Sequence, residues 1–278
     1  MIKKCMFPVA GYGTRFLPAT KSMPKEMLPV VNKPLVQYGV EEALDADLTE
    51  ICLVTGRGKR AINDFFDISF ELEHQIAGTD KEPYLASIRD VIARGKFATT
   101  RQSEMKGLGH AILTGELLVG NEPFGVVLAD DLCVCEEQGV MAQLVEIYRR
   151  TKCSVIAIEE VDEAEVSKFG VIAGVEEEPG LYAVTDMVEK PEAKDAPSNL
   201  AIIGRYVLTP YIFEILRHTP PGKNGEVQLT DALLTMAKTS KVLAYKFKGR
   251  RFDCGSVDGY VEATNYVYKN IYLQDKFS

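Results

Sequence analysis

Short β-branched runs alternate with stretches of helical periodicity from the first residues of the chain. Lys3 to Val9 reads as a strand, Val36 to Ala46 as an amphipathic helix, Ile51 to Thr55 as a second strand, and the residues through Phe65 as another helix. The rhythm continues with a strand over Phe97 to Gln102, a helix over Gly109 to Val119, a strand over Gly125 to Ala129, a helix over Val140 to Arg150 and a strand over Ser154 to Glu159. Strands separated by helices of this length predict an α/β fold with a mostly parallel, doubly wound sheet covered on both faces. Ligands of such sheets bind beyond the carboxyl ends of the strands.

After Glu160 the pattern changes. Gly170 to Val175, Leu181 to Val188 and Leu200 to Val207 read as neighbouring strands joined by acidic, Pro- and Gly-containing loops, which predicts a smaller, mixed or antiparallel β-rich part. Val257 to Asp275 reads as a helical tail carrying Tyr260, Tyr266, Tyr268 and Tyr272, an aromatic set suited to packing or to an oligomer surface. No internal repeat is present, and a single domain over residues 1–278 is expected, its two halves meeting near residue 160.

Composition narrows the function. With 46% hydrophobic and 26% charged residues the chain is ordinary globular material. A net charge of -8 provides no global field for nucleic acid or anionic lipid, so an anionic ligand needs a local cluster of positive groups. The N-terminal apolar run is cut short by glycines and Arg15, and no stretch approaches the roughly 18 apolar residues of a membrane span. A cytoplasmic enzyme with no membrane partner is the expectation. The six cysteines include no C-x-x-C pair and read as reduced core thiols; Cys133 and Cys135 share a strand face, but no second Cys or His pair accompanies them as a metal site would require.

The chemistry is concentrated in loops. Gly11-Tyr12-Gly13-Thr14-Arg15 follows a strand directly, where glycines let backbone N–H groups approach an anion. Phe16 stands where a dinucleotide fingerprint has its third glycine, and Gly58-Lys59 lacks the rest of a Walker loop. Four prolines between residues 18 and 34 stiffen a long excursion that carries Lys21 and Lys25, so with Arg15 three cations surround a rigid scaffold that could fold over a triphosphate.

The segment GYGTRFLPATKSMPKEMLPVVNKPLVQY resembles the nucleotide-binding opening of the bacterial UTP–glucose-1-phosphate uridylyltransferases, in the sugar nucleotidyltransferase family. The similarity recurs in order through Arg101-Gln102, Gly107-Leu108-Gly109-His110-Ala111, Leu128-Ala129-Asp130-Asp131, Lys168-Phe169-Gly170-Val171, Val188-Glu189-Lys190-Pro191, Gly204-Arg205-Tyr206, Gly225 to Asp231, and Phe252-Asp253-Cys254-Gly255. Tyr12, and Ala129 before the acidic pair, depart from the familiar pattern without removing a chemical group. The resemblance implies a Rossmann-like nucleotidyltransferase fold with a sugar-binding part, transfer of UMP from UTP to glucose 1-phosphate, Mg²⁺ as cofactor, and a homo-oligomer, dimeric or tetrameric.

It also implies residue roles. Arg15, Lys25 and Lys190 are catalytic cations; Ala10, Gly11, Gly13, Thr14, Glu26, Gln102, Gly107 and Asp131 hold the nucleotide; Gly170, Glu189 and Gly204 shape the sugar site; Asp130, with Asp253, binds the metal. Glu189 and Lys190 are adjacent and point to opposite faces of a strand unless the chain turns, a turn for which Pro191 is suited. A sugar phosphate is already deprotonated at pH 7, so no general base is needed; His110, after its glycine turn, caps or packs, and His74 and His218 lie in helix-like segments. The alternatives are a thymidylyltransferase, whose openings favour GGxGTR and KQxLP over the PKEMLP and GLGHA present here, and a noncatalytic relative that binds nucleotide-sugars.

Overall fold

The computed structural model describes residues 2–222 and 225–274. In chain order the strands are β1 (Lys4–Pro8), β2 (Pro29–Val30), β3 (Lys33–Pro34), β4 (Glu50–Thr55), β5 (Lys96–Arg101), β6 (Phe124–Val127), β7 (Asp131–Val134), β8 (Ser154–Glu160), β9 (Gly170–Glu178), β10 (Leu181–Glu189), β11 (Leu200–Leu208), β12 (Val242–Lys246) and β13 (Arg250–Asp253). The helices are α1 (Leu35–Asp45), α2 (Arg60–Phe65), α3 (Phe70–Ile76), α4 (Ala86–Arg94), α5 (Leu108–Thr114), α6 (Glu116–Val119), α7 (Val140–Thr151), α8 (Tyr211–His218), α9 (Leu229–Thr239) and α10 (Val257–Val267).

Nine strands form one sheet in the order β5-β4-β1-β6-β11-β8-β12-β10-β9. The four on the β5 side pair in parallel, as the βαβ rhythm predicts. β11 then enters antiparallel to both β6 and β8, and β9 and β10 form an antiparallel pair. The sheet is therefore mixed, and the halves read on either side of residue 160 interleave: β8 of the first lies between β11 and β12 of the second. Apolar side chains alternate onto two faces. One face packs α1 and α7 through residues such as Val40, Leu44 and Leu144; the other packs α5, α8 and α9 through Ile112, Phe213 and Leu233.

The predicted helix over Gly109 to Val119 is broken at Gly115, which closes against Met6 of β1 with no room for a side chain. The helices α3, α4, α8 and α9 and strand β12 lie in stretches the periodicity left unassigned. Two small ribbons, β2–β3 and β7–β13, stand apart from the main sheet. The second positions the site: its register sets Asp253 opposite Asp131 and Phe252 opposite Leu132.

The tail packs on its own chain. Ser256 Oγ caps α10 by accepting from the Gly259 N–H, Tyr260 meets Phe16 edge-on at 5.6 Å and donates to the Pro29 carbonyl, and Tyr266 lies against Phe252. Tyr268 and Tyr272 stack on each other in a single π turn, and Asp275 lies outside the described residues. The six cysteines are free, and burial pushes the Cys135 thiol up to about 11. Among the described residues no helix is long and apolar enough to cross a membrane.

Candidate active site

A cleft of about 780 Å³ opens beyond the carboxyl ends of β1, β5 and β6. Of the residues given a site role by the resemblance, all but Gly13 and Thr14 line it; Lys21, the third cation expected around the triphosphate, is exposed and does not. Gly13 packs behind Lys25, and Thr14 is exposed in the same turn. Gly13 has a φ of 68°, its Cβ position falls 3.0 Å from Lys25 Cβ, and its carbonyl accepts from Thr20 Oγ1 at 2.7 Å. This close approach lets the glycine turn pack on the aliphatic stem of Lys25 and so fixes where its ammonium goes.

Lys25 Nζ donates to Asp130 Oδ2 at 2.5 Å. Burial works against both charges, but each outweighs it for the other: the Asp130 carboxyl is held below its ordinary range by Lys25 and Arg15, and the Lys25 ammonium above its own by Asp130 and Glu26. Glu26 is 2% exposed; Lys59 Nζ donates to its Oε2 at 2.7 Å, while Oε1 is buried with no hydrogen-bond partner. Burial pushes the Glu26 carboxyl up, opposed by Lys59 and Lys25. An orphan acceptor at a cleft wall is suited to a ligand hydroxyl or N–H.

The adjacent carboxylates Asp130 and Asp131 have different surroundings. Asp131 is committed to the protein: Oδ2 accepts from the Gly204 N–H at 2.7 Å and Oδ1 from Arg251 Nε at 2.7 Å. Arg251 also reaches Glu159 Oε1 at 2.8 Å and lies over the Phe169 ring, which joins β13 to the loop before β9. Asp130, one residue before β7, instead turns its carboxylate toward Gly255. Asp253 Oδ1, Asp130 Oδ2 and Arg15 Nη1 lie 2.9, 3.0 and 3.1 Å from one point, the Cβ position that Gly255 leaves open. Two hard oxygen donors and a guanidinium thus converge on a single spot, with no cluster of three or more candidate metal ligands among the described residues.

The opposite wall is built from side chains. β10 ends at Glu189, paired with Gly170 of β9. Lys190 follows with a φ of 47°, in the left-handed region, and its N–H donates to the Phe169 carbonyl at 2.9 Å. The turn expected before Pro191 is therefore present, and both Glu189 and Lys190 line the cleft. Thr230, 7% exposed at the start of α9, donates through Oγ1 to Glu189 Oε2 at 2.6 Å. This hydroxyl fixes the carboxylate and leaves its other oxygen toward Lys190 Nζ, 3.5 Å away.

Sequence reading missed Thr230, Arg251, Lys59 and Arg205. Arg205 is 1% exposed, paired with Glu42 at 2.8 Å, and donates to the carbonyls of Leu128, Gly204 and Asp131. It clamps the Asp130 loop from below. A charge inside the apolar run of β11 was the available signal, because a buried arginine needs this many acceptors.

The Nucleotidyl transferase family model matches residues 8–270. A UTP–glucose-1-phosphate uridylyltransferase of Pseudomonas aeruginosa is 64% identical over 277 residues, with 99% of each chain covered. Among solved structures, a UDP-glucose pyrophosphorylase complexed with UDP-glucose superposes with a TM-score of 0.91 at 58% identity, covering 97% of this chain and 99% of that one. A UTP-bound UGPase from Acinetobacter baumannii superposes with a TM-score of 0.90 at 39% identity, covering 100% and 97%. Similar along almost its whole length in sequence and in fold, the chain belongs to the nucleotidyl transferase family, among its UTP–glucose-1-phosphate uridylyltransferases.

Proposed function

We propose that this chain transfers UMP from UTP to glucose 1-phosphate, forming UDP-glucose and pyrophosphate. One arrangement carries the reading: Arg15, Lys25 and Lys190 border the same cleft as Asp130 and Asp253, between a glycine loop and the Glu189 wall. The activity named for the Pseudomonas relative and the UDP-glucose held by the 58% identical structure support it.

Both substrates are anions, and a phosphate monoester with a second pKa of about 6 is close to a dianion at pH 7. Their repulsion is the obstacle, and the attacking oxygen needs no general base. A sugar-phosphate oxygen attacks the α-phosphorus of UTP in line; its new P–O bond forms as the bond to the bridging oxygen breaks, and that electron pair leaves with pyrophosphate. Lys190 orients the attacking phosphate, while Arg15 and Lys25 neutralise the triphosphate. Ala10 and Gly11 present backbone to the nucleotide, Gly13 and Thr14 complete the turn that carries Arg15, Gln102 and Gly107 meet the base, and the unpartnered oxygen of Glu26 accepts from the nucleoside. Asp131 holds this wall to the sugar wall, where Gly170, Glu189 and Gly204 surround the hexose.

The converging oxygens of Asp130 and Asp253 suit Mg²⁺, which takes hard ligands, keeps several waters and needs only one or two carboxylates beside substrate phosphates. These two residues would hold it, and when bound it supplies positive charge at the triphosphate. A homo-oligomer is part of the same proposal, with exposed Val257, Val261 and Tyr268 of the tail on its surface; light scattering on purified protein checks it. The activity is tested by pyrophosphate release over a matrix of nucleoside triphosphates and sugar phosphates. UTP with glucose 1-phosphate is expected to be fastest, and no release from that pair would overturn the reading.

A further inference from the structure

Gln102 is the amide at the nucleotide end of the cleft, and its orientation is set from within the protein. Its backbone N–H donates to the Thr55 carbonyl at 2.8 Å, and its side chain is 4% exposed. Nε2 lies 3.1 Å from the Gly107 carbonyl and 2.9 Å from His110 Nδ1. A carbonyl oxygen can only accept, so the NH₂ side of the amide must face Gly107. The second N–H then points at Nδ1, which must be the unprotonated nitrogen of the ring.

The carbonyl that dictates this is itself rigid. Gly107 has a φ of 92° and its Cβ position falls 2.8 Å from the Val227 carbonyl, so only glycine fits. Val227 brackets the turn, donating to the Lys106 carbonyl at 2.8 Å and accepting from the Gly109 N–H at 2.9 Å. Burial and the nearby Lys106 push the imidazolium of His110 below its ordinary range, against Glu104, so the ring is neutral at pH 7 and keeps its acceptor. Both amide protons are consumed internally, and among the described residues Gln102 Oε1 takes no donor.

We infer that His110 is a positioning residue for base choice: with Gly107 it locks Gln102 so that only the amide oxygen is offered to the base. The inference rests on the cleft being the nucleotide site. A pyrimidine with an N3–H, uracil or thymine, donates to that oxygen. Cytosine presents a lone pair at N3 and meets a lone pair in return, and the amide cannot turn over to accommodate it without setting its oxygen against the Gly107 carbonyl and forcing His110 into its other tautomer. His110 therefore excludes CTP without touching it, and this edge does not separate UTP from dTTP.

The test compares His110→Leu with His110→Asn, whose side-chain oxygen takes the place of Nδ1 as acceptor. With glucose 1-phosphate saturating, the Leu variant is expected to raise KM for UTP and to lower the UTP-to-CTP ratio of kcat/KM, each by about tenfold, the scale of one hydrogen bond. The Asn variant should restore both, and KM for glucose 1-phosphate should not move in either. An unchanged ratio in the Leu variant, a loss in Asn equal to that in Leu, or equal losses on both substrates would overturn the assignment. A readout independent of variant folding is the ¹⁵N spectrum of the His110 ring in the wild type at neutral pH, which should show Nε2 protonated and Nδ1 bare; the opposite tautomer sinks the inference. A wild type that uses no pyrimidine triphosphate would instead overturn the functional reading and leave the tautomer result standing on its own.

Discussion

The two walls of the cleft are made in different ways. On the nucleotide wall the groups leave the ends of parallel strands as contiguous loops, residues 10–26 and 102–110, and much of what faces the cleft is backbone. On the sugar wall Glu189, at the end of an antiparallel strand, works through Thr230 far away in sequence, and Asp131 ties the two walls together through Gly204 and Arg251. Backbone recognition needs a local conformation, which glycine and proline encode at short range. Side-chain recognition needs register, which only the assembled sheet provides.

Asp130 and Asp131 bring this contrast into neighbouring residues, and the largest effects are expected there. Asp131→Ala strands Arg251 and the Gly204 N–H and should cost roughly 3–5 kcal/mol, the loss seen when one partner of a buried pair is removed. Urea unfolding measures it, and a midpoint like that of the wild type would show that the walls are joined elsewhere. Asp130→Asn removes the charge opposite Lys25 and should lower the unfolding midpoint less than Asp131→Ala does, while turnover with Mg²⁺ falls by on the order of 10²–10³-fold, as for loss of a group that stabilises transition-state charge. Near-normal turnover in that variant would remove the metal assignment.

The next comparison is between the walls themselves. Lys190→Ala should raise KM for glucose 1-phosphate by about 10- to 100-fold, the scale of a charged hydrogen bond, with little change for UTP. Equal losses for the two substrates would mean that Lys190 does not belong to the sugar side. The smallest effect is the sharpest: Thr230→Val should raise KM for the sugar phosphate by about threefold to tenfold, and Thr230→Ser, which keeps the hydroxyl, should recover it. If Val matches the wild type in steady-state kinetics and Ser does not, the methyl group and not the hydroxyl positions Glu189.

The parallel strands, the proline-stiffened loop and the placement of Arg15 and Lys25 were legible because they follow from periodicity and turn chemistry within a few residues. A turn at Lys190 was credible from Pro191, but its left-handed backbone was not, because a proline favours an extended residue before it. The interruption at Gly115 was not, because it depends on how closely Met6 approaches. Nor did the resemblance distinguish the two halves of the Gln102 amide: a side chain expected to present donor and acceptor together has its donor already used by Gly107 and His110.

The sequence by itself determined an α/β chain with its cations and carboxylates in loops after strands, because local propensity and hydrophobic period act over short distances. The tertiary structure alone decided which carboxylate supports the fold and which faces the cleft. That choice depends on the β7–β13 register, on the buried Arg205 and on the half-buried Arg251, contacts between segments that share no sequence neighbourhood. Adjacent aspartates of the same type are indistinguishable until their partners arrive.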